Sequence, residues 1–376
     1  MRVIVIGAGI AGLSAAAEIA AEHEVTVLEA ETQPGYHSSG RSAATYIEPY
    51  INATVFALTR AGRSFFLDPP REFSEHALAS PRADLMIADA ASVGQVDEYL
   101  ARWGGLCPGI REIAVKDALA QVSILRESAV ARAVADPNVM DLDVHGLLEG
   151  FRRRLVARGG RLHVRSLVTA VQATSSGWRV SGETDHHECD VLVNAAGAWG
   201  DRIAQLAGVR PVGLVPKRRT AVLLSANGHD VAHWPIVHEV ANRFYFKPDA
   251  GRLLLSPADE TPSEPCDAQP DDWDVAVAVD RFQTATRLEV KRIEHKWAGL
   301  RSFVADNRPV VGYDPDASGF FWLVGQGGFG VQTSIGMSRL AASLVAARGV
   351  PADLAASGVT EAELAPARVQ KVPGTK

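Results

Sequence analysis

Three glycines carry the first readable chemistry in this 376-residue chain: Gly7, Gly9 and Gly12, spaced G-x-G-x-x-G around Ile10 and Ala11 and followed by Glu29 and Ala30. Gly7 permits a tight turn. Gly9 has no side chain, so a pyrophosphate can approach the backbone, and Gly12 lets a helix pack close on a strand. The amides and positive dipole end of that helix favour phosphate charge, while Glu29 can accept hydrogen bonds from ribose hydroxyls. An acid at this point disfavours a 2′-phosphate, so FAD or NAD is expected rather than NADP. A second glycine-rich stretch, Gly325-Gln326-Gly327-Gly328-Phe329-Gly330, offers another helix N-terminus to an electron-rich group. Between the two lie Arg41, in a Gly- and Ser-rich loop that could bring its charge to a diphosphate, and the run Val193-Asn194-Ala195-Ala196-Gly197-Ala198-Trp199. The small residues of that run let backbone lie against a ligand.

The elements that must position these residues follow from the apolar pattern. Arg2–Ile6 reads as a buried parallel strand, Leu13 to about Ala21 as a helix, and Val25–Leu28 as the next strand. The chain then leaves this unit. Phe56–Phe66 reads as a helix ended by Pro69-Pro70, Leu85–Ala88 as a short strand, and Val93–Arg102 and Val115–Gln121 as helices. It returns with an amphipathic helix, Val144–Arg158, a strand at Arg161–Val164 and an antiparallel excursion at Val168–Val171 and Trp178–Val180. The apolar strand ending at Asn194 enters a helix over Asp201–Ala207. A second departure, Pro211 to Ile293, holds strands at Thr220–Ser225, Arg243–Lys247 and Arg252–Leu255, a turn within Lys247–Gly251, and a helix over Val275–Phe282. Phe320–Val324 is a buried strand leading through the second glycine turn into a helix from about Val331 to Arg348.

Composition narrows the rest. A hydrophobic share of 47%, 22% charged residues and a net charge of −6 describe a globular protein without the basic footprint of nucleic-acid binding. No apolar run reaches a membrane span, and the first strand begins at residue 2 with no leader before it, so a soluble cytoplasmic protein is expected. Cys107, Cys189 and Cys266 are too few and too scattered for a disulfide framework or a metal site. Pro366 to Lys376 reads as a loose tail.

The order and spacing of the three glycine-bearing segments resemble the D-amino acid oxidase and dehydrogenase family of FAD enzymes, and within it the bacterial D-arginine dehydrogenases. Further matching segments are Gln33 to Ser38, Arg41 to Ala44, Pro216 to Arg219, Tyr245 with Lys247 to Gly251, Trp297 to Asp306, and Gln326 to Gly328. The resemblance implies an α/β fold of the glutathione-reductase, two-dinucleotide-binding type: a Rossmann-like FAD-binding domain with an inserted mixed-sheet (α+β) substrate-binding domain. Residues 1–47, 136–215 and 294–350 would form the first, 48–135 and 216–293 the second, and 351–376 a C-terminal tail. Non-covalent FAD would lie extended, with Val168 facing the adenine. Ala196, Gly197 and Trp199 would lie along it. The flavin would sit between Arg41, Ser42, Ala43 and Ala44 on one side and Gly327, Gly328, Gly330, Val331, Gln332 and Thr333 on the other, with Arg301 also among the cofactor-binding residues.

The resemblance also implies that Arg219 and Arg301, with Tyr50, Tyr245 and Gly328, hold a substrate carboxylate, as a bidentate cation can. Asp84, His238, Thr45 and Ile47 would line the side-chain end, and there the chain departs from the family pattern. Asp84 stands where the family has a glutamate, His238 where it has a valine, Thr45 where it has a histidine, and Ile47 where it has a threonine. The implied activity is oxidation of a D-amino acid to the imino acid, then 2-oxo acid and ammonia, by hydride transfer from Cα to flavin N5, with a quinone or O₂ as acceptor. A secondary amine or an L-2-hydroxy acid would suit the same carboxylate site. An electron-transfer flavin subunit would not need the four side chains together.

Overall fold

The computed structural model describes residues 1–370. Arg2–Ile6 enters the middle of a six-stranded sheet, where burial on both faces selects apolar β-branched residues. The strand order is Val310–Tyr313, Phe320–Val324, Val191–Asn194, Arg2–Ile6, Glu24–Leu28, Arg161–His163, parallel except at the first pair. Helices Ile10–Ile19, Val144–Ala157 and Gly330–Val345 cover one face, burying Leu13, Ile19, Phe151, Leu155 and Leu340 together. The other face packs on helix Gly200–Leu206 and on a small antiparallel sheet, Ala170–Thr174, Gly177–Ser181 and His186–Cys189.

A second sheet of eight strands stands beside the first. Its order is Ile293–Phe303, Val215–Ser225, Arg252–Ser256, Tyr245–Asp249, Ile236–Glu239, Asp84–Ala88, Arg132–Asp136, Arg111–Ile113. Side chains alternate across a strand, and here the alternation separates a dry face from a polar one. Leu85, Val222, Leu224, Val237, Phe246 and Leu255 point one way, onto Val275, Ala278 and Phe282 of helix Asp272–Ala285. Arg219, Tyr245 and His238 point the other way.

Four placements differ from the sequence reading. The expected helix Phe56–Phe66 is two helices, Ala53–Arg60 and Arg63–Leu67, parted at Gly62, where an added Cβ would meet Ile335 at 3.1 Å. Leu58, Phe66 and Phe73 belong to the core of the first sheet rather than to an insert beginning at residue 48. Ile293–Phe303 pairs along Val215–Ser225 in the second sheet, so the boundary expected at 294 falls inside that strand. Residues 351–370 are not a tail: Leu354, Val359 and Leu364 are buried in the first core, and Arg368 bonds Asp306 at 2.9 Å. Residues 371–376 of the expected tail lie outside the described residues. Among the described residues no helix is long and apolar enough to cross a membrane.

Candidate active site

A cavity of about 450 Å³ runs between the two sheets, from Gly7, Gly9 and Glu29 at one end to Arg219, Tyr245, Arg301 and Gly328 at the other. At the first end the glycine requirements are literal. Gly7 has φ +100°, and a Cβ on it would lie 2.6 Å from the Ala195 carbonyl oxygen. A Cβ on Gly12 would lie 2.0 Å from the Gly7 carbonyl oxygen, so only glycine lets the helix seat on the strand. Ile10 and Ala11 begin the helix and line the cavity, as do Ala30, Val168, Ala196, Gly197 and Trp199.

Glu29 is buried and braces the turn, accepting from the Ala8 amide (2.6 Å) and the Glu31 amide (2.9 Å). Each carboxylate oxygen keeps a further lone pair for a ribose hydroxyl. Ser39 was not singled out in the sequence. Its Oγ accepts from the Ile10 amide at 2.9 Å, satisfying one of the donors a helix start leaves open. A serine in the loop after Glu29 was the only signal, and it was one of several. His37 is a second addition: its ring lies 4.6 Å from Trp199, and its Nε2 meets Glu31 at 2.9 Å.

Arg41 lines the cavity, yet its guanidinium is already engaged. It donates to the Ala268 and Ala298 carbonyls at 3.0 Å each and pairs with Asp267. Arg41 thus ties the loop to the second sheet while its side chain still lines the cavity. Ser42 and Ala43 line the cavity, whereas Ala44, at φ +54°, turns the chain away from it. Buried Lys247 fixes this segment, donating to the Ala43 carbonyl (2.9 Å) and to Asp141 (2.5 Å).

Across the cavity, Gly327, Gly328, Gly330 and Val331 present the N-terminus of helix Gly330–Val345. Gln332 and Thr333 do not join them through their side chains. The Gln332 amide bonds the Ile47 backbone (3.1 and 2.9 Å) and Thr59, and the Thr333 hydroxyl donates to Phe329.

The register of the second sheet assembles the other end. Arg219 lies opposite Gly299, and Arg301 lies opposite Lys217, so the two arginines are diagonal neighbours on one face. Tyr245 pairs with His238, which pairs with Met86, two residues beyond Asp84 on the same face. Arg301 Nη1 lies 3.4 Å from the Tyr50 hydroxyl, and a Cβ on Gly328 would come within 2.8 Å of the guanidinium. Among the described residues Arg301 has no carboxylate partner, whereas Arg219 donates to the Asp259 carbonyl (2.8 Å) and Glu260 (3.1 Å). Burial, then repulsion from Arg301, pulls Arg219 below the ordinary arginine range. Burial alone would push the Tyr245 phenol up, but Arg301 and Arg219 outweigh it and hold the phenol below its usual value. Two guanidiniums and two phenols around one cavity end suit an anion.

Asp84 and His238 bond each other, Asp84 Oδ1 to His238 Nδ1, with Asp84 buried and the His238 ring 5.6 Å from Tyr245. They adjoin the cavity end through Tyr245 rather than lining the cavity wall. Ile47 is fixed by Gln332, and the Thr45 hydroxyl donates to the Ala43 carbonyl, so neither side chain contributes a free polar group.

The cradle suits an extended dinucleotide carrying a flat ring: a glycine turn braced by Glu29 at one end, and a helix N-terminus and arginine pair at the other. The family model described as FAD dependent oxidoreductase matches residues 2–344. The chain is similar to D-amino acid dehydrogenase 2 of Ralstonia nicotianae, 26% identical over 93% of this chain and 97% of that one. It is also similar to bovine FAD-dependent oxidoreductase domain-containing protein 1, 26% identical over 53% of this chain and 48% of that protein, of which it spans about half the length. In fold it matches glycine oxidase from Geobacillus kaustophilus with a TM-score of 0.82, at 22% identity over 95% and 98% of the two chains.

Proposed function

The chain belongs to the DAO family of FAD-dependent oxidoreductases, and on that premise we propose that it oxidises a small amine bearing a carboxylate, a D-amino acid by preference, to the imino acid. The observation that carries this reading is the Arg301 guanidinium. Among the described residues it lines the cavity without a carboxylate of its own, beside Arg219, Tyr50 and Tyr245.

In this reading Arg219 and Arg301 bind the substrate carboxylate, and the two phenols donate to it. Gly328 adds a backbone group and leaves room for the guanidinium. Holding one end of the substrate fixes its Cα against the helix turn Gly327–Gly330, and such positioning is the main service asked of the protein. The bound FAD supplies the two-electron acceptor for the Cα hydrogen. The N-terminal amides of helix Gly330–Val345 favour negative charge on that side of the cavity. Water then hydrolyses the released imino acid to a 2-oxo acid and ammonia. An anaerobic screen of D- and L-amino acids, followed by loss of flavin absorbance, tests the reading.

Asp84 and His238 bear on the side chain accepted. The bond to His238 occupies one Asp84 oxygen; if His238 is cationic in that bond, neutral or aromatic D-amino acids lead, and if it is neutral, basic ones stay competitive. The ratio of kcat/KM for D-Phe over D-Arg should fall in His238→Val, where Asp84 is released. An unchanged ranking across D-Arg, D-Lys, D-Met and D-Phe would show that the Asp84–His238 pair behind Tyr245 does not reach the substrate side chain.

FAD is expected to be held without a covalent bond. No cysteine lines the cavity among the described residues, and His37, which does, is engaged by Glu31. Acid precipitation should leave the flavin in the supernatant; yellow colour retained in the pellet would contradict this.

A further inference from the structure

Arg219 is held on its outer side by a strap, residues 258–263, which leaves strand Arg252–Ser256 and runs back along Val215–Ser225. The strap is laced to that strand: the Arg218 amide donates to the Thr261 carbonyl (2.8 Å) and the Ser263 amide to the Pro216 carbonyl (2.9 Å). The Asp259 carboxylate, buried and pushed up by that burial, accepts from the Thr220 amide (2.6 Å) and hydroxyl (3.0 Å). Its carbonyl takes Arg219 Nε at 2.8 Å, which fixes where the guanidinium sits.

Glu260 is placed differently. Its carboxylate bridges Arg219 Nη2 (3.1 Å) and Lys217 Nζ (2.9 Å). Its side chain is 44% exposed, against 8% for Arg219. Asp259 already sets the geometry of the arginine, so the Glu260 contact is not needed to place it. What Glu260 adds is a carboxylate on the guanidinium edge, the same chemical group proposed for the substrate. Half in water, it can leave at little cost, and it keeps Lys217 as a partner.

Resting on the carboxylate-binding reading above, we propose that Glu260 is an internal competitor for Arg219. It touches neither the cofactor nor the reacting atoms and acts only through its charge on Arg219. It lowers the affinity of the arginine pair for the substrate carboxylate, and it yields when that carboxylate arrives. Glu260→Gln keeps the shape and one acceptor oxygen but removes the charge.

FAD-loaded wild type, Glu260→Gln and Arg219→Met are titrated with propionate, and with neutral propionamide as control, by flavin absorbance. Propionate Kd is expected to fall roughly two- to five-fold in Glu260→Gln, the scale of a half-exposed ion pair, with propionamide unchanged. KM for a carboxylate substrate should fall with it, the change carried by KM rather than kcat. An unchanged or higher propionate Kd in Glu260→Gln overturns the proposal. Arg219→Met separates the two levels: if it binds propionate as tightly as wild type, the carboxylate-binding reading fails, whatever Glu260→Gln does.

Discussion

Replacing Arg301 by methionine is expected to lower kcat/KM by about 2–5 kcal/mol, roughly thirty- to several-thousand-fold, while FAD stays bound. Methionine keeps most of the apolar stem and removes the five donors. The loss is large because the site is shielded from water and the substrate carboxylate would be left without its bidentate partner. Arg219 cannot compensate fully, since its Nε and one Nη are taken by Asp259 and Glu260. FAD retention is expected because the glycine turn at Gly7–Gly12 does not involve Arg301. Steady-state kinetics and the ratio of flavin to protein absorbance measure the two halves separately. Wild-type turnover in the variant would place the carboxylate elsewhere.

Gly12→Ala should act at the opposite end and through the backbone. The new Cβ would sit 2.0 Å from the Gly7 carbonyl oxygen and 3.1 Å from the Ala195 Cβ. No rotamer relieves a backbone overlap, so helix Ile10–Ile19 must move off the strand that carries the turn. Such overpacking costs about 1–3 kcal/mol, and more when the obstacle cannot shift. The expected result is protein purified with little flavin and a lowered Tm that added FAD restores only in part. Full flavin content with an unchanged Tm would show that the close approach is not required. Gly9→Ala is the contrast: its Cβ would meet the Ser39 Oγ at 3.5 Å, an ordinary contact, so any loss of FAD there reports on ligand approach rather than on folding.

These two substitutions mark what the sequence carried well. Gly7 and Gly12 answer to hard backbone limits, and such limits leave glycine and little else at the position. The strand Arg2–Ile6 was legible because two-sided burial writes a continuous apolar run. Ile293–Phe303 was not, because this edge strand begins in water, with Glu294, His295 and Lys296 exposed, and shows no continuous apolar run. The engagement of Arg41 by Asp267, and of Gln332 by Ile47, was hidden for a different reason. Each depends on a partner more than two hundred residues away that only the fold brings near. Residue type suggested a cation near phosphate at Arg41; the folded chain adds structural partners for that side chain. The polar face holding Arg219, Arg301, Tyr245 and His238 came from the family resemblance. The strand register supplies the physical reason these side chains can meet, and it also exposes Glu260, which no spacing pattern singled out.

The central claim is that this cavity oxidises an amino acid held by its carboxylate at the Arg219–Arg301 pair. Its most direct test is anaerobic mixing of the FAD-loaded protein with a panel of D- and L-amino acids, each paired with its carboxamide, while the flavin band is recorded. The account predicts that at least one D-amino acid bleaches the flavin, that its carboxamide does so far more slowly, and that Arg301→Met removes the difference. A flavin that stays oxidised with every amino acid, or bleaches equally with acid and amide, would contradict it.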